Sequence, residues 1–314
     1  MSLTYKTFEY LTPNEKASLF PKVKELFAES FGDSLSYEYW HWRFLDNPID
    51  APKISMFFDG DRLVSYYAVS PIKLWVKGRN NRAALSNMTM TAPEYQGKGL
   101  FPQLATRLFD SLKRNGYEFV IGFPNENSHY SFITKLKWID IDRIPMLHKE
   151  NGSHTHAKSD SGEIPKSHII DFTLNLDLLT IDPIKRDQVA RDVDYLKWRF
   201  FSHPLHKYEG YFFPDSKDFY LYKEYNNEGN INIDIVEYEC TEFDTFRSFI
   251  SLTAGRCNGW NIWVNPKSAL ELYLFLEKSG FRMMEPVIYL SYLSLSSKRL
   301  DDSFSYKMSD SDIF

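Results

Sequence analysis

Cysteine is scarce: the 314-residue chain has two, Cys240 and Cys257, with no Cys-x-x-Cys pair. A disulfide framework and a cysteine zinc site both lack their residues, and a reducing compartment is expected. No window approaches the ~18 consecutive apolar residues of a membrane span, and Met1 to Lys6 lacks the basic-then-apolar order of a secretion signal. A cytoplasmic protein with no membrane partner is the expectation. Positive charge is not in excess either. Lys and Arg total 37 against 42 Asp and Glu, a formal net charge of −5, which leaves no global field for a phosphate polymer and argues against nucleic acid as a partner.

What is present is ordinary for a globular chain: 43% hydrophobic and 25% charged residues, enough to bury a core. At roughly 150 residues per domain, the length implies two domains or one large one. Aromatic residues reach 17% and fall mostly in strand-like or helical apolar patterns, so they are assigned to the core rather than to stacking surfaces.

An internal repeat divides the chain. Tyr39-Trp40-His41-Trp42-Arg43-Phe44-Leu45-Asp46-Asn47-Pro48 aligns without a gap on Tyr195-Leu196-Lys197-Trp198-Arg199-Phe200-Phe201-Ser202-His203-Pro204, and Tyr, Trp, Arg, Phe and Pro match. Each copy precedes a strand-like run, Ile54 to Phe58 and Tyr208 to Phe213. Duplication is the reading, with domains at 1–150 and 166–314 and a polar linker at 151–165. His148, His154, His156 and His168 fall around this linker, but a mobile His-rich segment lacks the fixed shell a metal needs, so no metal is expected.

The chemistry points to residues 84–138. Leu85 to Ala92 reads as a strand, broken by Pro93-Glu94-Tyr95-Gln96-Gly97-Lys98-Gly99. A helix follows: Phe101, Leu104, Ala105, Leu108, Phe109 and Leu112 form one apolar stripe, Pro102 suits a first turn, and Asn115-Gly116 ends it. Tyr117 to Phe123 reads as the next strand. A glycine turn feeding a helix N-terminus converges backbone N–H groups on an anion, with the helix dipole adding partial positive charge. It is neither a P-loop nor a complete dinucleotide fingerprint.

Pro93-Glu94-Tyr95-Gln96-Gly97-Lys98-Gly99-Leu100 resembles the acyl-CoA-binding segment of the GNAT family of N-acyltransferases, Gln/Arg-x-x-Gly-x-Gly/Ala on a strand-loop-helix. Gln96 and Gly99 match, and Phe101 stands where the last Gly/Ala is usual. Asn125-Glu126-Asn127-Ser128, Phe132 and Lys135-Leu136-Lys137-Trp138 are similar to the family's Asn-x-x-Ala…Tyr…Lys-Leu-Gly-Phe ending. The resemblance covers about residues 54 to 145. It implies a mixed α/β (α+β) fold of two tandem GNAT-like domains, each a twisted mixed central sheet flanked by helices. It also implies acetyl-CoA or another acyl-CoA as co-substrate, with Thr89, Met90 and Thr91 bonding the pantetheine arm through their backbone. Gln96, Gly97, Lys98, Gly99, Leu100 and Phe101 would hold the pyrophosphate, and Asn125 would orient the thioester end.

The second half repeats the outline with a period-two run at Asn230 to Ile235, a helix carrying Phe243, Phe246 and Ile250, a strand at Gly259 to Val264 and a helix at Ser268 to Lys278. Its glycine loop is replaced by Glu237, Glu239, Glu242 and Asp244, which would repel a pyrophosphate. It is therefore expected to be a degenerate copy that helps build the acceptor cleft.

Direct attack of a neutral amine on the thioester needs a base, an oxyanion donor and an acid for the thiolate. The family's acid, a Tyr, falls at Phe132 or Ile133, neither of which donates a proton; Tyr130 and His129 lie within one turn. Glu94 and Glu126 border the site as candidate bases, and the C-terminal carboxylate after Asp310-Ser311-Asp312-Ile313-Phe314 is another, although a frayed tail is the simpler reading. Arg43 and Arg199 read as anchors of a helix to its sheet, with a hold on a substrate carboxylate as the alternative. The leading function is N-acylation of a primary amine of a small molecule by a monomer or homodimer. The alternatives are an aminoacyl transferase of the peptidoglycan cross-bridge type, or a non-catalytic acyl-CoA sensor.

Overall fold

The computed structural model describes residues 3–152, 170–171 and 186–311. The first half runs β1 (Thr4–Thr7), α1 (Pro13–Ala17), α2 (Leu19–Phe31), α3 (Tyr37–Phe44), β2 (Lys53–Asp59), β3 (Arg62–Val76), β4 (Arg79–Thr91), α4 (Leu100–Arg114), β5 (Phe119–Gly122), α5 (Glu126–Leu136) and β6 (Ile139–Glu150). The second runs β7 (Ile170–Asp171), β8 (Gln188–Val189), α6 (Val193–Leu196), β9 (Glu209–Phe213), β10 (Asp218–Asn227), β11 (Asn230–Glu239), α7 (Phe243–Thr253), β12 (Gly259–Ile262), α8 (Leu270–Lys278) and β13 (Arg282–Ser294). These elements pack into two compact units, one of Met1–Asp142, Ser202–Leu205 and Tyr289–Leu300, the other of Arg143–Phe201, His206–Ile288 and Asp301–Phe314.

The first unit is a mixed sheet ordered β1-β2-β3-β4-β5, antiparallel except for the parallel pair β4–β5, with Ser291–Ser294 of β13 antiparallel on the outer edge of β5. Beside the contiguous stretch to Asp142, within the expected 1–150 domain, this unit takes in Ser202–Leu205 and Tyr289–Leu300. The edge of Phe119–Gly122 leaves buried N–H and C=O groups that need partners, and a strand from the far end of the sequence supplies them. No local periodicity could announce that. Of the expected linker, residues 153–165 lie outside the described residues, as do His154, His156 and His168.

α4 buries Leu104, Ala105, Leu108, Phe109 and Leu112 along the expected stripe, and packs against β2, β3 and β4. In the repeat, Ser36 caps α3 by accepting from Tyr39 N–H, and Asp192 caps α6 by accepting from Tyr195 N–H. Trp40, Trp42 and Trp198 are core residues as expected, with Trp40 Nε1 donating to Tyr66 Oη at 3.1 Å.

The second unit carries the same succession: β9–β10–β11 antiparallel, α7, β12 parallel to β11, then α8. Leu147–Glu150 of β6 pairs antiparallel with β12, and β7 pairs with β9. Its core gathers Tyr220, Phe246, Phe249, Trp260, Phe275 and Phe281.

Candidate active site

In the first unit, β4 and β5 pair only from Ala83↔Phe119 to Ser86↔Gly122, and β4 then runs on to Thr91 without β5. A bulge sets the divergence. Tyr67 faces Thr89 and Val69 faces Ser86, so Asn87 and Met88 are opposed by the single residue Ala68. Asn87 Oδ1 accepts the Ser70 N–H at 2.9 Å, while its buried Nδ2 has no hydrogen-bond partner among the described residues. Ala92 N–H donates to Val64 O. By the two-residue alternation of a strand, Met90's main chain also faces β3, and that of Thr89 and Thr91 faces the side β5 has left. Of the three strand residues expected at the pantetheine arm, Met90 thus has its main chain engaged and its side chain buried.

The loop after β4 folds as the glycines require. Gly97 and Gly99 both sit at φ +72°, a left-handed conformation that costs other residues energy, and a Cβ on either would meet no atom within 4 Å. Gly99 is the N-cap of α4 and supplies no side chain, so the N–H groups of the first turn stay available. Gln96 Nε2 donates to Thr91 O at 3.1 Å, tying the loop to the free edge of β4. Lys98 Nζ lies 4.7 Å from the Tyr95 ring centroid, and Tyr95 Oη donates to Asp59. Leu100 is buried. Phe101 packs edge-on against Tyr67 and Phe132.

Asn125 caps α5, its Oδ1 accepting from Asn127 and Ser128 N–H. The candidate acid and bases fare differently. Tyr130 is 66% exposed, and Phe132 is buried against Trp138. Glu126 is an exposed first-turn residue of α5. Glu94 is ion-paired with Arg62, which also holds Glu29 at 2.9 Å. Its own backbone N–H and then Arg62 lower the Glu94 carboxyl, which makes it a weak proton acceptor.

Sequence reasoning undervalued one group. His129 Nε2 lies 2.9 Å from both oxygens of Asp140, Asp140 accepts from Ser291 Oγ at 2.6 Å, and the imidazole stacks on Tyr289 at 3.7 Å. Only His129 stood out locally, because Asp140, Tyr289 and Ser291 arrive from other strands.

The corresponding place in the second unit is filled by the chain itself. β11 and β12 part after Ile235↔Ile262, and the segment 302–311 bridges the gap. Asn265 Nδ2 donates to Asp302 O and Phe304 O at 2.9 Å, while Ser309 Oγ donates to Glu237 and Lys307 Nζ to Tyr238 O. Of the expected frayed tail, Asp310 and Ser311 are instead buried, at the end of a run buried from Phe304; residues 312–314 lie outside the described residues. Glu237 does not stand as a free repelling charge. Burial would raise its carboxyl, but Arg191 at 2.5 Å and Lys307 at 2.6 Å hold it down to about 2, and Arg191 also pairs with Asp310. Arg199, expected to anchor a helix to the sheet, donates to Ser309 O and Ser311 O and so anchors this segment. Burial pushes the Cys240 thiol up to about 12, which makes it no nucleophile. Among the described residues, no three His, Cys, Asp or Glu side chains gather as a metal site, and no helix is long and apolar enough to cross a membrane.

Residues 14–138 match the family model described as the acetyltransferase (GNAT) domain. The chain carries a GNAT domain. Solved structures agree on the fold at 14% identity, each aligned over 94% of this chain. They include a protein from Enterococcus faecalis V583 described as "Probable N-Acyltransferase" (TM-score 0.68, 73% of that chain). GCN5-related N-acetyltransferases from Anabaena variabilis ATCC 29413 (0.67, 73%) and Kribbella flavida (0.66, 72%) also match. No curated protein matches the chain in sequence. The GNAT match spans the β4 bulge, the glycine loop and α5, and acyl transfer from acyl-CoA is the general chemistry of that family.

Proposed function

We propose that the protein is an acyl-CoA-dependent N-acyltransferase, with acetyl-CoA the first donor to test, acting on a primary amine of a small molecule. The observation that carries this reading is the open loop at Gly97 and Gly99, which feeds an uncapped α4 N-terminus beside the unpaired edge of β4. Pyrophosphate would rest on the loop N–H groups, and the pantetheine amides would add to Thr89 and Thr91 as a strand adds to a sheet edge. Asn125 would orient the thioester end. The amine would attack the thioester carbon directly, and one active site per chain follows from the filled gap of the second unit, read as a degenerate copy.

Calorimetry with acetyl-CoA, followed by a panel of primary amines including spermidine, glucosamine and lysine, tests this. One site per chain and turnover support it. Binding with no turnover favours the sensor reading, which the burial of Phe132 at the family's acid position supports. No binding of acetyl-CoA, longer acyl-CoA or free CoA removes both.

A further inference from the structure

We infer that His129, oriented by Asp140, is the proton-transfer residue of the first unit, taking over one turn earlier on α5 the task for which Phe132 has no proton. The inference deepens the acyltransferase reading and rests on it.

The argument begins with the two ring nitrogens. A carboxylate only accepts, so both Asp140 oxygens at 2.9 Å from Nε2 place the ring proton there and leave the Nδ1 lone pair outward. Among the described residues, Nδ1 has no hydrogen-bond partner. The ring is fixed in plane and in tautomer: Tyr289 stacks on it at 15° between planes, and Asp140 is steadied by Ser291 Oγ. A base held by a third group, with its second nitrogen free, is the arrangement that nucleophile activation uses in unrelated enzymes. The surface alternative, Tyr130, has no such support.

Position supports the same assignment. β5 leaves β4 at Gly122; Pro124 O accepts the Tyr289 N–H, Asn125 caps α5, and His129 N–H bonds back to Asn125 O at 2.9 Å. His129 and Phe132 are three residues apart on α5, so they are neighbours on one helix surface. The titratable groups in contact with the imidazole are Asp140 from β6 and Tyr289 from β13, and Glu126 stands three residues earlier on its own helix.

The step balances without a further reactant. The amine nitrogen forms the C–N bond with the thioester carbon, and the C–S bond breaks. The proton lost by the amine passes to Nδ1 and from there to the departing CoA thiolate, giving the amide and free CoA thiol.

His129→Gln tests this, because the Gln amide can still donate to Asp140 but carries no titrating nitrogen. The expected result is acetyl-CoA affinity within about twofold of wild type and kcat lower by about 100-fold or more, within the range of general acid–base catalysis. The acid limb of the wild-type kcat profile should also disappear, and added imidazole should restore rate to His129→Gly. Asp140→Asn, which would turn the tautomer and place the proton on Nδ1, should lower kcat with KM nearly unchanged. A His129→Gln enzyme with kcat within threefold of wild type, or with its acid limb intact, overturns this role and leaves the acyltransferase reading standing. A wild-type protein that binds neither acetyl-CoA nor a longer acyl-CoA, or binds a donor and acylates no amine between pH 6 and 9, overturns both.

Discussion

Phe101 and Phe132 meet edge to face, ring centroids 5.4 Å apart and planes at 64°. These are two of the positions where the chain departs from the GNAT pattern, a small residue after the glycine loop and a Tyr on α5. The departures therefore share a contact. Tyr67 on one side and Trp138 on the other extend it into an aromatic row that closes on the side of β5 where Gly122 leaves room: a Cβ there would stand 3.1 Å from Trp138.

The rings should prove coupled. Phe132→Ala is expected to cost about 3–5 kcal/mol and the half-buried Phe101→Ala less, with a coupling of about 0.5–1.5 kcal/mol in a double-mutant cycle. Urea unfolding of the four proteins measures it, and additive costs would mean that each ring packs independently.

Gly99→Ala separates fold from binding. Its φ of +72° should cost about 1–2 kcal/mol, and the added methyl would stand in open space beside the α4 N-terminus. Gly60→Ala, at φ +59° and equally open, is the control. Both should lower the melting temperature similarly, while only Gly99→Ala weakens acetyl-CoA, by about tenfold. Equal affinities in calorimetry would dissociate the loop from the donor.

Much of the first unit was legible because its signals are local. The α4 stripe, the two glycines and the Asn125 cap each lie within a few residues of what they determine, so periodicity and turn chemistry suffice. The strand that completes the sheet at β5 and the Asp140–His129–Tyr289 cluster were not legible, because their partners are far apart in sequence and meet only through sheet pairing. Glu237 was misleading for the same reason. Its neighbours Glu239, Glu242 and Asp244 suggested repulsion, whereas its charge partners Arg191 and Lys307 come from elsewhere in the chain.

Arg191 should hold the second unit's filled gap together. Its guanidinium joins Glu237 and Asp310, all three side chains almost fully buried, so Arg191→Ala leaves two carboxylates facing each other with Lys307 as remaining counter-charge. Removing one partner of such a buried set costs about 3–5 kcal/mol. Hydrogen exchange should accelerate first in residues 304–311, and unchanged protection there would show that Arg199, Asn265 and Lys307 retain the segment without Arg191.

His206 gives the protein a dependence on mild acid. Burial first, then Lys223 and Arg199, hold its imidazole down to about 4, below its ordinary 6.5. The unfolded chain therefore binds more protons between these values, so stability is complete above about pH 6.5 and falls as pH drops toward 4. For a half-buried ring, solvent screening reduces the expected loss to about 1 kcal/mol. His206→Gln removes the titrating group and should flatten stability against pH across that interval relative to wild type. Equal slopes for the two proteins in urea titrations at pH 4.5, 5.5 and 7 would assign the acid sensitivity to other groups.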